Sequence, residues 1–129
     1  PPPQYEVVLL EATRAVLSKV LISGGGRCNV MHDPMKEVPV IARGYPRGSQ
    51  EILGPLSKTF GPWDAHSWFE SRGVALKTER DGRVFPVSDS SKSVAGALQR
   101  AAVDAGVRVV KGAKATDIRQ VLAQIQAGV

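Results

Sequence analysis

The pattern of apolar and polar positions alternates between strand-like and helix-like segments. Residues 5–11 form an apolar run that ends in an acid, and residues 107–110 form a second run, so both segments predict strands. Helical spacing, with Pro, Ser or Gly at the ends, predicts helices over residues 49–60, 62–72 and 90–105. Strands that alternate with helices along the chain are typical of the α/β class.

An Asp-Gly pair separates two β-prone runs, residues 74–79 and 83–87. Such pairs are typical of the tight turn of a β-hairpin. Pro86 cannot donate a ladder hydrogen bond, so we expect the second arm to be short or to lie at a sheet edge. Residues 31–48 contain three prolines and two glycines without sustained periodicity, which predicts a long loop.

The two ends of the chain carry less specific patterns. Residues 1–3 are prolines, which fit neither a helix interior nor a central strand. Residues 116–128 have apolar positions at helical spacing, but residues 118–122 equally allow a strand. The length of 129 residues predicts one domain or part of one, spanning residues 1–129.

Composition excludes some classes of function. The net charge is +5, but the basic residues are scattered without a block of five or six, which argues against a nucleic-acid partner. The single cysteine excludes an internal disulfide and indicates a reducing compartment. No apolar run has the roughly 18 to 20 residues of a membrane span, so we expect a soluble chain.

The strongest candidate chemistry lies in residues 19–29, Lys-Val-Leu-Ile-Ser-Gly-Gly-Gly-Arg-Cys-Asn. Three glycines add nothing to a core, so they suggest a backbone that approaches a ligand closely, with φ values that other residues avoid. Their N–H groups would suit a phosphate, with Arg27 and Asn29 as further donors, and a flexible linker is the alternative. Cys28 is either a reactive thiol beside Arg27 or, as we expect, a buried residue.

Two further positions are candidates for ligand contact. Glu11 ends the first predicted strand, where dinucleotide-binding domains place the acid that binds the adenosine ribose, although a helix cap or a solvated strand end is the simpler explanation. The expected G-x-G-x-x-G fingerprint is not found in the ten residues before Glu11. Arg83 and Phe85 flank Val84 and should share one strand face, where a cation and a ring would meet a planar ligand.

Two other groups of polar residues are rejected as sites. Asp64, His66 and Ser67 fall on one predicted helix, but residues two apart point to different helix faces, and triad members are seldom neighbours in sequence. His32 and Asp33, taken with His66, match no metal-ligand spacing, so the sequence predicts no metal site.

Three segments together resemble the BaiN/YhiN-type flavoproteins, also called aminoacetone-oxidase-like FAD-binding enzymes. They are residues 19–30, which end in Arg-Cys-Asn-Val, residues 68–74, Trp-Phe-Glu-Ser-Arg-Gly-Val, and residues 81–88, Asp-Gly-Arg-Val-Phe-Pro-Val-Ser. The resemblance runs from about residue 7 to residue 110. Its finer pattern is most similar to plant, algal and cyanobacterial members, which would allow a chloroplast location.

The resemblance implies a Rossmann-like FAD domain of an FAD-dependent oxidoreductase, interrupted by a mostly β domain. FAD is therefore the expected cofactor, and its flavin carries the redox chemistry. No catalytic residue is identified. The implied cofactor-binding residues are Glu11 at the adenosine ribose, Lys19, Ser23, Gly24, Gly25, Gly26, Arg27, Cys28 and Asn29 on the flavin side, and Arg83, Phe85 and Pro86 near the sheet.

Departures from the family pattern limit what this chain is expected to do alone. The glycine fingerprint is missing, Met31 and His32 stand where the family has Thr-Asn, and neither the insertion domain nor a C-terminal flavin-binding segment follows. We therefore expect an incomplete Rossmann-like FAD-binding domain, a fragment of an FAD-dependent oxidoreductase that is inactive alone. The alternative is a non-catalytic interaction module in which a protein partner covers an open sheet edge.

Overall fold

Two sheets organise residues 5–117, the part of the chain that the computed structural model describes. These residues form two compact units, one of residues 5–18 and 98–117 and the other of Lys19–Ala97. The α/β class is confirmed. The elements are β1 (Val8–Glu11), α1 (Ser18–Ile22), β2 (Met31–His32), α2 (Val38–Ala42), α3 (Ser49–Lys58), α4 (Pro62–Glu70), β3 (Leu76–Thr78), β4 (Arg83–Pro86), α5 (Ser91–Asp104) and β5 (Arg108–Lys111).

Strands β1 and β5 pair in parallel in the first unit. The register runs from Val8 opposite Arg108 to Glu11 opposite Lys111, so Glu11 stands at the carboxyl end of this sheet. Both predicted strands are confirmed, although β1 is shorter than the apolar run that predicted it. The predictions for residues 1–3 and 118–128 lie outside the described residues.

The second unit contains an antiparallel sheet in the order β2-β4-β3. The predicted hairpin is confirmed, with Thr78 opposite Val84 and Leu76 opposite Pro86. β4 is short, as expected, but it is not an edge strand, because β2 pairs with its other side through Met31 and Val84. Pro86 is tolerated because it is the last residue of β4, where one missing N–H breaks no ladder bond inside the strand.

The core of this second unit centres on β4. Val84 and Phe85 are 0% and 1% exposed, and Pro86 is also fully buried. Val94 of α5 and Val74, which precedes β3, are buried in the same unit. Val84 and Phe85 are neighbours on a strand and point to opposite faces, so β4 is buried on both faces, which a two-stranded hairpin alone would not be.

The three longer helices are confirmed within two residues at their ends. The prediction of a loop over residues 31–48 is wrong in part, because β2 and α2 lie inside that segment. Pro39 interrupts the sequence pattern, but it occupies the first turn of α2, where a missing N–H is harmless. β2 has only two residues and forms through its pairing with β4, which local sequence does not indicate.

We expect Val84→Ala to lower the free energy of unfolding by about 2 kcal/mol, because it removes two methyl groups from a fully buried site. Val87→Ala is the matched control, since Val87 is 55% exposed and should change stability by less than about 0.5 kcal/mol. Urea unfolding followed by circular dichroism measures both. Equal losses in the two variants would contradict a core centred on β4.

Candidate functional site

The three glycines form a left-handed turn between α1 and β2. Gly24, Gly25 and Gly26 have φ values of +56°, +67° and +84°, and Cys28 has +61°. L side chains seldom adopt this region, so the backbone path itself requires glycine here. The predicted unusual φ values are confirmed.

The two sides of this turn differ in what they face. A Cβ atom built on Gly24 would lie 2.8 Å from the Asn29 nitrogen and 3.1 Å from Cε1 of Phe85. A Cβ atom on Gly25 or Gly26 would meet nothing within 4 Å. The turn therefore packs against β4 on one side and is open on the other.

Hydrogen bonds inside the loop use part of its donor set. Cys28 N–H donates to the Ser23 carbonyl at 3.0 Å, and Arg27 N–H donates to the Gly24 carbonyl at 3.4 Å. These two amides are therefore directed into the loop. They are not available as donors to a phosphate. The internal bonds also distinguish the loop from a flexible linker.

Arg27 lies at the centre of a group of charged side chains. Its Nε donates to Asp89 Oδ1 at 2.9 Å, and its Nη2 pairs with Glu79 Oε1. Lys77 Nζ lies 2.5 Å from the other oxygen of Asp89. The hydrogen bond from Lys77, followed by that from Arg27, lowers the pKa of Asp89, and the bonds to Glu79 and Asp89 raise the pKa of Arg27.

Phe85 lies beneath this group. The Arg27 guanidinium carbon is 4.0 Å from the centroid of the Phe85 ring, and that of Arg83 is 5.4 Å away. Arg83 and Phe85 are therefore neighbours, as two residues on one strand face are expected to be, but the ring is only 1% exposed. Phe85 supports Arg27 and has almost no surface of its own to offer a planar ligand.

Asn29 lies at the surface but bonds to the protein backbone, and Cys28 is buried. With its amide nitrogen directed at two backbone carbonyls, Asn29 donates to Met31 at 2.9 Å and to Val84 at 3.1 Å. Asn29 thus links the end of the loop to both β2 and β4. Cys28 is 6% exposed, so the expectation that it is buried is confirmed.

Glu11 belongs to the first unit, whereas the other candidate residues belong to the second. Its Oε1 accepts hydrogen bonds from Thr13 N at 2.7 Å and from Thr13 Oγ1 at 2.8 Å. The backbone bond, followed by the hydroxyl bond, lowers the pKa of Glu11, so its carboxylate is ionised at neutral pH. Beside it is a mostly apolar pocket of about 470 Å³. The pocket is lined by Leu9, Glu11, Val16, Leu17, Leu98, Gln99, Ala102, Val103, Val109 and Lys111.

The structure brings together most of the predicted site residues of the second unit. The loop of residues 23–29 meets Phe85 of β4 and Pro86 is buried in the same strand, whereas Lys19 is exposed on α1. Sequence reasoning missed Glu79, Asp89 and Lys77 as neighbours of the loop. The alternating charges of the hairpin were a visible signal, but nothing local shows which of them meet residue 27.

The rejected groups have structural explanations. Asp64 Oδ2 accepts a hydrogen bond from Gly61 N–H at 2.7 Å, which caps α4. His66 Nδ1 lies 3.5 Å from Glu70 one turn along the same helix. Within residues 5–117, no three His, Cys, Asp or Glu side chains are grouped so that they would hold a metal ion. Over the same range, no helix has the length and apolar character needed to cross a membrane.

We expect Asp89→Asn to change how stability depends on pH. Because the folded state lowers the pKa of Asp89, its stabilising effect is complete above the unfolded-state value of about 3.9 and is lost as pH falls through the lower folded-state value. The variant should be less stable than the parent at pH 7, and the difference in stability should shrink as pH falls below the unfolded-state value. Asp104→Asn, at the exposed end of α5, is the control. Parallel pH profiles for the parent and Asp89→Asn would contradict the contact.

Comparison with known proteins identifies a family. The model of the HI0933-like protein Rossmann domain matches residues 2–127. Over 110 residues the chain is 31% identical to a protein of Clostridium scindens named 3-dehydro-bile acid delta(4,6)-reductase. The alignment covers 81% of this chain and 25% of that protein, so the chain spans about a quarter of the length of this relative. The chain therefore belongs to the HI0933-like flavoproteins, a family whose Rossmann domain binds FAD.

Proposed function

We propose that this chain is an FAD-binding part of an FAD-dependent oxidoreductase, in which the left-handed turn of residues 24–26 lies against the flavin. The observation that carries the proposal is the open side of the turn, where Gly25 and Gly26 have no neighbour within 4 Å of a built Cβ. Glycine removes the only side-chain atoms that would separate a ligand from this backbone. Membership of a family with an FAD-binding Rossmann domain supports the assignment.

The residues of the loop divide their roles between shape and contact. Gly25 and Gly26 present backbone to the cofactor, whereas the bond between Cys28 and Ser23 closes the loop and Asn29 attaches its end to β2 and β4. A bound flavin supplies the redox chemistry, and the protein supplies binding and orientation. Lys19, exposed on α1, remains a proposed contact that rests on the family resemblance.

Glu11 is proposed to accept hydrogen bonds from the adenosine ribose. Its position at the carboxyl end of a parallel strand is that of the ribose-binding acid in dinucleotide-binding domains. Its lowered pKa keeps it an acceptor at neutral pH, as two hydroxyl donors require. The Thr13 bonds fix the carboxylate and reduce the entropy that it would lose on binding.

The reaction of the whole protein is proposed only as a class. The Clostridium scindens relative is named a reductase, which fits a flavin-dependent redox step, but the aligned region covers 25% of that protein. We therefore propose oxidoreductase chemistry without a substrate. A chloroplast location stays a prediction.

We expect the chain to bind FAD saturably in a titration up to about 1 mM, followed by flavin fluorescence, and to lose at least about tenfold in affinity in Gly25→Ala. The added methyl group projects from the open side of the turn, into the proposed cofactor space. Gly106→Ala is the matched control, because Gly106 also has a positive φ and nothing within 4 Å. It imposes similar backbone strain and should leave affinity unchanged.

Two results would overturn this proposal. One is a parent chain that binds no FAD at 1 mM, which corresponds to less than about 4 kcal/mol of binding free energy. The other is an equal loss of affinity in Gly25→Ala and Gly106→Ala, which would show that backbone strain alone explains the loss.

A second candidate function is a non-catalytic interaction module. Among the described residues, the parallel sheet has only two strands, so β1 and β5 each have one edge without a partner strand there. Parallel sheets are usually covered on both faces, yet Leu9 of β1 is 44% exposed. A partner chain that adds a strand would cover such an edge.

Size-exclusion chromatography with light scattering at rising concentration tests this second candidate. Self-association that Leu9→Lys abolishes would support it, because a lysine on β1 opposes edge pairing. Val87→Lys, also on an exposed valine, should have no effect. A folded monomer at every concentration would count against self-pairing through this edge.

A further inference from the structure

We propose that Arg27 is a positioning residue for the left-handed turn, and that Glu79 and Asp89 hold it in place. The inference deepens the proposed FAD site and rests on it. It assigns roles to two acidic residues outside the segment that resembles the flavin-binding loop. It also changes the role of Arg27, which the family resemblance places among the cofactor contacts.

The donors of Arg27 are directed into the protein. Its Nε bonds to Asp89 and its Nη2 pairs with Glu79, which are 62 and 52 residues away in sequence. A guanidinium presents a planar fork of donors, and here two directions of that fork already hold carboxylates. An anionic ligand that approached Arg27 would have to displace one of them.

The Phe85 ring connects this ion-pair group to the glycine turn. The ring supports the Arg27 guanidinium at 4.0 Å and is also the side chain that a Cβ on Gly24 would approach, at 3.1 Å. Arg27 therefore covers the ring beside the turn, and the turn closes against the same ring. Release of Arg27 would uncover Phe85 and remove one side of the packing that confines Gly24.

The charges around Arg27 balance. Three cations, Arg27, Lys77 and Arg83, pair with three carboxylates, Glu79, Asp81 and Asp89. At distances beyond the group itself the sum is close to zero, so it creates little positive potential for a phosphate. Its geometry suits the bracing of a loop better than the recognition of an anion.

FAD titration separates bracing from direct contact. If Arg27 braces the turn, Glu79→Gln and Asp89→Asn should each weaken FAD binding about threefold to tenfold, and Arg27→Met combined with Asp89→Asn should cost no more than Arg27→Met alone. If Arg27 instead contacts FAD, the removal of either carboxylate frees donors beside an anionic cofactor and should leave affinity unchanged or raise it. That result would overturn the proposal. Glu6→Gln, which removes a carboxylate 3.0 Å from Arg108, is the matched control.

A second measurement needs no FAD. Cys28 is the single cysteine of the chain and is buried within the loop, so its reaction rate with a thiol reagent reports loop opening. We expect Glu79→Gln and Asp89→Asn to speed the reaction about threefold or more, and Glu6→Gln to leave it unchanged. Val84→Ala controls for global unfolding. Small additions of urea increase the contribution of global unfolding to the reaction rate, whereas local opening of the loop is nearly insensitive to urea.

The two measurements fail independently. Unchanged Cys28 rates in both carboxylate variants would overturn the bracing role, whether or not the chain binds FAD. Faster Cys28 reaction in a chain that binds no FAD would support the positioning role of Arg27 and overturn the proposed function.

Discussion

The burial of β4 is the constraint on which the second unit depends. Val84 and Phe85 are almost fully enclosed, and such side chains contribute about 1.5 to 3 kcal/mol each when removed from water. The backbone of β4 pairs with β3 on one side and β2 on the other. The Val84 carbonyl also accepts the N–H of Val30 at 2.8 Å and the side-chain amide of Asn29. The end of the glycine loop is therefore fixed by a strand that follows it by more than 50 residues.

Local signals predicted the elements that local interactions form. The Asp-Gly pair predicted the hairpin. The cap and apolar stripe of α5 predicted that helix within one residue at each end. β2 was missed because two residues carry no periodicity, and it exists only through pairing with β4. The family resemblance located the loop. The partners of Arg27 lie 52 and 62 residues away in sequence, and the local spacing of residues does not indicate contacts over such separations.

The first unit shows a different relation between sequence and site. Glu11 was placed correctly at the end of a strand because a hydrophobic run that ends in an acid is a local pattern. Its fixed geometry comes from two hydrogen bonds donated by Thr13, two residues later. The pocket beside it needs the parallel pairing of β1 with β5, and parallel partners are always distant in sequence.

The acidic residues of the first unit and those of the second unit have different proposed roles. Glu11 is an ionised acceptor, suited to hydroxyl donors, and its field would oppose a nearby phosphate. The lowered pKa of Asp89 keeps it ionised at neutral pH as well, and cations pair with both Asp89 and Glu79. A neutral, internally bonded group next to an open glycine backbone favours an uncharged, planar part of a ligand over its charged part. The isoalloxazine ring of FAD is such a part, and backbone atoms can contact it closely because no side chain stands between them. In the proposed site the loop would select its ligand by shape and close approach, and its charged side chains would hold the loop itself.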